Sequence, residues 1–75
     1  MMLEKRSFAL SGHRTSVALE PEFWAALGEI AAAEGIALLD LITRLDAART
    51  ENQPLASFLR VFALQSPLRP PAIRA

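Results

Sequence analysis

Arg14-Thr15-Ser16-Val17-Ala18-Leu19-Glu20-Pro21 carries two structural signals in eight residues. Residues 14 to 19 alternate with period two, so Thr15, Val17 and Leu19 share one face of a strand while Arg14, Ser16 and Ala18 share the other. Glu20-Pro21 then opens a helix, because proline's missing N–H is not needed in a first helical turn. With Glu20 as the cap, Leu19 and Trp24 stand at the spacing of a hydrophobic staple, which fixes how the chain enters the helix. A strand therefore runs straight into a helix with its apolar side already chosen.

Upstream, Lys5-Arg6-Ser7-Phe8-Ala9-Leu10 alternates as well, with Arg6, Phe8 and Leu10 on one side. Ser11-Gly12 is a turn signal between the two runs. The pattern allows two arrangements: residues 5 to 10 fold back beside residues 14 to 19, or they trail off as arms.

Downstream, Phe23, Leu27, Ile30 and Ala31 form an apolar stripe at helical spacing, Glu22 suits the positive end of the helix dipole, and Gly35 supplies a left-handed stop. These signals predict a helix over about 21 to 34. A second helix is expected over about 37 to 49, with Leu38, Leu41, Ile42 and Leu45 as its stripe and Leu39 widening it. That face is broad for one neighbour, so a second copy of the chain is expected to cover part of it. Arg44 and Asp46 fall on the solvated side, and Arg49 and Arg60 also read as surface residues. Thr50 to Gln53 is a polar break with Asn52 as candidate cap. Leu55, Phe58, Leu59 and Phe62 then predict a third helix ending near Leu64. The ordered domain is thus expected over 5–64, and the proline-rich residues 65–75 read as a flexible tail.

Seventy-five residues allow one domain, and 52% of them are hydrophobic. One small chain buries a modest share of its surface, so a homodimer with a shared core is expected. There is no cysteine and one histidine, which leaves no disulfide and no thiolate for zinc; no metal or cofactor site is expected. His13 sits beside a turn glycine without an orienting carboxylate, so no catalytic residues are assigned and the chain reads as a non-enzyme. Trp24 and the phenylalanines fall on helical stripes, which marks them as core and not as base-stacking platforms. No apolar run approaches the ~20 residues that span a bilayer. A cytoplasmic protein of bacterial type, without a membrane partner, is the expectation.

Net charge is zero, but it is unevenly spread. Lys5, Arg6, His13 and Arg14 lie in the first fourteen residues with Glu4 as the one acid, and Glu20, Glu22, Glu29, Glu34 and Asp40 follow. If the strand over 14 to 19 pairs with its copy about a two-fold axis, the resulting ribbon must rest its apolar face on the helices. Arg14, Ser16 and Ala18 then point outward from both strands. Such a ribbon has the width of the B-DNA major groove, where arginine can bond guanine O6 and N7 together, serine can donate or accept, and alanine can touch a thymine methyl. Free backbone N–H groups at the start of the second helix, at Ala37, Leu38 and Leu39, suit a phosphate on each flank. Lys5, Arg6 and His13 are further candidates for phosphate contact.

Lys5-Arg6-Ser7, Gly12-His13-Arg14-Thr15-Ser16-Val17, Leu19-Glu20-Pro21-Glu22-Phe23-Trp24 and Ala26-Leu27 together are similar to short bacterial ribbon-helix-helix domain proteins. Ile30-Ala31, Gly35, Leu41-Ile42, Leu45-Asp46 and Arg60-Val61-Phe62 continue the likeness, which covers roughly residues 5 to 64. More distantly the chain resembles the Arc and methionine repressors. The resemblance implies a mostly α fold with a short β ribbon, an intertwined homodimer, and here an additional C-terminal helix. It also implies sequence-specific binding of double-stranded DNA and transcription regulation, with groove-facing positions falling on Arg14, Ser16 and Ala18. The chain departs from the family at Ala37, where a small hydroxyl residue is usual; a missing cap typically costs ~1 kcal/mol. A different class of function is a protein-interaction module, an antitoxin or an assembly adaptor, whose third helix offers Leu55, Phe58, Leu59 and Phe62 to a protein partner.

Overall fold

Ser11 and Gly12 hold φ angles of 51° and 82°, and two successive left-handed residues make the tight primed turn that matches the twist of a hairpin. In the computed structural model, which describes residues 2–67, this turn joins β1 (Glu4–Leu10) to β2 (His13–Leu19). The two strands are antiparallel, with Glu4 opposite Leu19, Ser7 opposite Ser16 and Leu10 opposite His13. Of the two arrangements the alternation allowed, the chain adopts the folded-back one. Three contacts to α1 (Pro21–Glu34) hold it there. The Trp24 indole Nε1–H donates to the Glu4 carbonyl at 2.7 Å. The Phe8 ring lies 5.8 Å from the Trp24 ring, and the Arg6 guanidinium sits 4.9 Å above it.

Helix α1 keeps the predicted bounds. Glu20 is its N-cap, without a side-chain cap bond, and its carbonyl accepts from the N–H of Phe23 and Trp24. Leu19 and Trp24 are both buried, as the staple spacing requires. The inward stripe is Trp24, Leu27, Ile30 and Ala31, so the expectation that Phe23 leads it is corrected: Phe23 lies half-buried at the rim, 5.9 Å from the Arg60 guanidinium. The hairpin covers the indole, and that rotates the buried face by one residue. Gly35 ends the helix at φ 73°, and the N–H groups of Gly35 and Ile36 return to the carbonyls of Ala32 and Ala31.

Helices α2 (Leu38–Ala48) and α3 (Leu55–Gln65) complete the fold. Leu41, Ile42 and Leu45 of α2 and Leu55, Leu59 and Ala63 of α3 are buried with the α1 stripe and with Leu10, Val17 and Leu19 of the hairpin. Leu41, Ile42 and Leu45 of the broad α2 face are thus covered within the chain, with α3 packed beside them, while Leu38 is half-buried and Leu39 is 46% exposed. Asn52 does not cap α3. Pro54 takes that position, its preset φ of −59° suiting the approach to a helix and its carbonyl accepting from the Phe58 N–H. Arg49 organises the α2–α3 turn instead, donating from Nε to Asp46 at 2.9 Å and from Nη1 to the Gln53 carbonyl at 2.8 Å. Asp46, expected on the solvated side, is thus paired and half-buried, while Arg44 is exposed as expected and bonds Glu34 at 2.7 Å. Gln65 belongs to α3; the tail expected beyond it lies, from residue 68 on, outside the described residues. Thirteen apolar side chains are buried, and no buried polar or charged residue occurs among the described residues.

One ion pair ties α3 to the strand–helix junction: Arg60 Nε donates to Glu20 Oε1 at 2.9 Å. This bond above all, helped by a backbone N–H, holds the Glu20 carboxyl below its ordinary 4.5. A depressed carboxyl stabilises the fold above its unfolded value, and the benefit is lost as pH falls through the folded value. Glu20→Gln should accordingly be less stable than the parent at pH 7, with the gap closing as pH drops below about 4.5. Urea midpoints at pH 7 and pH 3 check this; a gap of constant size would show that Glu20 contributes nothing by its charge.

Candidate nucleic-acid interface

The pleat sorts the hairpin's side chains into two sets. Val17, Leu19 and Leu10 are buried toward the helices, with Phe8 and Thr15 half-buried beside them. On the opposite face Lys5, Ser7 and Ala9 of β1 stand across from Ala18, Ser16 and Arg14 of β2. Five of these six are exposed and Ala18 is half-buried. The set contains two cations, two hydroxyls, two methyl groups and no carboxylate. Its centre is a bond between hydroxyls, with Ser7 Oγ 2.8 Å from Ser16 Oγ.

Arg14, Ser16 and Ala18 share this outward face, and Lys5 joins them from the neighbouring strand. Arg6, adjacent to Lys5 in sequence, is turned the other way: it lies across from Val17, over the Trp24 ring, and bonds Glu4 at 2.7 Å. The two basic residues are therefore divided by the pleat. His13 is exposed at the turn end, across from Leu10. Ala37, Leu38 and Leu39 lie at the start of α2, where the Leu41 N–H is the first to reach back, to the Ala37 carbonyl at 3.2 Å. Amides before Leu41 precede the helical ladder and are free to meet an anion. Asp40 occupies the same first turn and partly satisfies the dipole with its own charge. Ser7 was not singled out from the sequence. The alternation of residues 5 to 10 groups it with Lys5 and Ala9, yet which face that group takes depends on the cross-strand register.

One edge of β2 is covered by β1, and the sheet among the described residues has these two strands. A two-residue turn makes Leu10 and His13 a hydrogen-bonded pair, so bonding alternates from there. His13, Thr15, Val17 and Leu19 exchange bonds with β1, while the N–H and C=O groups of Arg14, Ser16 and Ala18 face the other edge. Along that edge runs an open groove of about 560 Å³, with Thr15 to Ala18 on one side and Arg49, Gln53, Pro54 and Ala56 on the other. A row of unpaired backbone groups beside a groove is a template for another strand.

A family model described as ribbon-helix-helix domain matches residues 3–66. Among solved structures, the chain is similar to an uncharacterized protein from Bordetella pertussis Tohama I, with a TM-score of 0.70 and 40% sequence identity. The likeness covers 83% of this chain and 53% of that one, so this chain spans about half the length of the solved protein. Among curated proteins none matches. No helix among the described residues is long and apolar enough to cross a membrane.

Proposed function

The chain belongs to the ribbon-helix-helix domain family, and from that premise we propose that it is a sequence-specific DNA-binding protein, a homodimer acting in transcription regulation in the cytoplasm. The observation that carries this reading is the outward face of the hairpin, basic and free of carboxylates, beside an unpaired strand edge. Two copies join β2 to β2 along that edge about a two-fold axis. The central ribbon then presents Arg14, Ser16 and Ala18 twice to base edges in the major groove of double-stranded DNA. Arg14 is the bidentate donor to guanine, Ser16 a donor or acceptor, and Ala18 an apolar contact for a thymine methyl. Lys5 and the α2 start at Ala37–Leu39 meet phosphates and set the register on the duplex. His13 offers an imidazole N–H to a phosphate at the turn end, and Arg6 adds positive charge beside the ribbon after release from Glu4.

Selection from random duplexes at two salt concentrations tests the reading. A palindromic motif supports a two-fold symmetric reader, whereas steep salt dependence without a motif leaves backbone contact alone. Ala18→Pro tests the ribbon itself. The lost N–H faces the free edge and not β1, so the hairpin tolerates proline while strand pairing between copies does not. The variant is expected to sediment as a monomer and to select no palindrome. A persistent dimer would remove the β2–β2 ribbon.

The alternative, an interaction module built on α3, keeps a narrower basis. Leu55, Leu59 and Ala63 are committed to the chain's own core. What remains on that helix are Val61 and Leu64, 47% and 59% exposed, with Phe58 and Phe62 half-buried along an open hollow of about 420 Å³ that Pro54 and Val61 also line.

A further inference from the structure

We propose that Ser7 of the flanking strand is a positioning residue for base recognition, acting through its hydroxyl bond to Ser16; the inference rests on the DNA reading above. In the dimer described there, β1 lies outside β2 on each side and the sheet has four strands. Three gaps of about 4.8 Å put the outer strands about 14 Å apart, beyond the roughly 12 Å width of the major groove. The β2 strands therefore sit over the base edges and the β1 strands over the groove's rims. Lys5 is at the level of the phosphates. Ser7 is one pleat further along the same outer strand, too far aside to read a base.

Its hydroxyl nevertheless reaches the strand that does. Ser7 and Ser16 are directly opposite, in a pair that is not hydrogen-bonded through the backbone, the type in which side chains approach most closely. The two oxygens are 2.8 Å apart, and both residues are exposed on the outward face. An unrestrained serine hydroxyl rotates among staggered positions and offers a donor or an acceptor to whatever it meets. Bonded to Ser7, the Ser16 oxygen is held in one position. If Ser7 donates, Ser16 keeps its hydrogen for a base acceptor; if Ser16 donates, it keeps a lone pair for a base amino group. Either way the pair removes rotamer freedom before DNA arrives, and where Ser16 donates to Ser7 it is left as an acceptor alone. Ser16 is the middle residue of β2, so a strand pair centred on the two-fold axis places both hydroxyl pairs over the middle of the site.

The full-length chain and its variants Ser7→Ala, Ser7→Thr and Arg14→Ala are compared for affinity to the selected duplex and to every single-base replacement in it. Ser7→Ala is expected to flatten the preference at the central positions by about 2- to 10-fold, the range of one net hydrogen bond. Preference at the positions read by Arg14, the melting temperature and the dimer constant should be unchanged. Ser7→Thr keeps the hydroxyl on a strand-favouring residue and should restore the central preference. If Ser7→Ala retains it while Arg14→Ala alters its own position, the positioning role is wrong and the DNA reading stands. An equal loss at all positions would make Ser7 a merely structural residue and overturns the proposal too. If the wild-type chain selects no motif, both readings fall together.

Discussion

Arg14→Ala is expected to weaken binding to the selected duplex by about 2–6 kcal/mol per dimer, since each bidentate arginine–guanine pair contributes about 1–3 kcal/mol of discrimination and the dimer makes two. Arg14 is exposed on the outward face and takes part in none of the four ion pairs among the described residues. Its guanidinium therefore does not have to leave an acid before meeting a base. The loss should fall on one base position in each half of the site, with other positions keeping their preference. Arg14→Lys retains the charge but not the planar fork, so it should keep most of the affinity for random DNA and lose the guanine preference. Affinities measured against single-base replacements at two salt concentrations separate these effects. Equal affinity of parent and Arg14→Ala for the selected duplex would remove Arg14 from the interface.

The second large effect concerns stability. Trp24→Ala should cost about 3–5 kcal/mol of unfolding free energy, the range for deleting a large buried aromatic side chain. Domains as small as this have a total near the lower end of 5–15 kcal/mol, so the variant should keep at most about 2 kcal/mol and show a populated unfolded state without denaturant. Trp24 is 2% exposed and joins three things at once: the α1 stripe, the Phe8 ring, and the Glu4 carbonyl at the start of β1. Trp24→Phe keeps most of the apolar body and removes the donor to Glu4. It should cost about 1 kcal/mol more than the lost volume alone and should loosen β1 first. Urea unfolding followed by circular dichroism, with hydrogen exchange at residues 4–8, reads both changes. A Trp24→Ala variant as stable as the parent would show that β1 is held by its backbone ladder alone.

Where local chemistry set an element, the sequence reading was close. Pro21 and Gly35 bound α1 because one needs no N–H donor and the other tolerates positive φ, and both preferences belong to the residue itself. The alternation over 14 to 19 separated Val17 and Leu19 from Arg14 and Ser16 because a pleat leaves no other choice. The third helix was visible in the spacing of Leu55, Phe58, Leu59 and Phe62. Asn52 shows the limit: it is a good cap by type, but Pro54 stands nearer the first turn and Arg49 holds the loop around it.

What lay beyond the linear chain were the pairings. Ser11-Gly12 permits a reversal without requiring one; Trp24, donating to the Glu4 carbonyl, holds β1 against the helix and so beside β2. That register places Lys5 and Ser7 on the outward face, sends Arg6 to the other side and brings two serine hydroxyls together across nine positions of sequence. Likewise the spacing of α2 gave its stripe but not which part of it α3 covers: Leu41, Ile42 and Leu45 are buried, and Leu39 is left exposed. Turns, caps and pleat parity are properties of neighbouring residues and travel with the sequence. Which faces meet depends on contacts between residues far apart along the chain, and these exist only after the helices and the hairpin have packed.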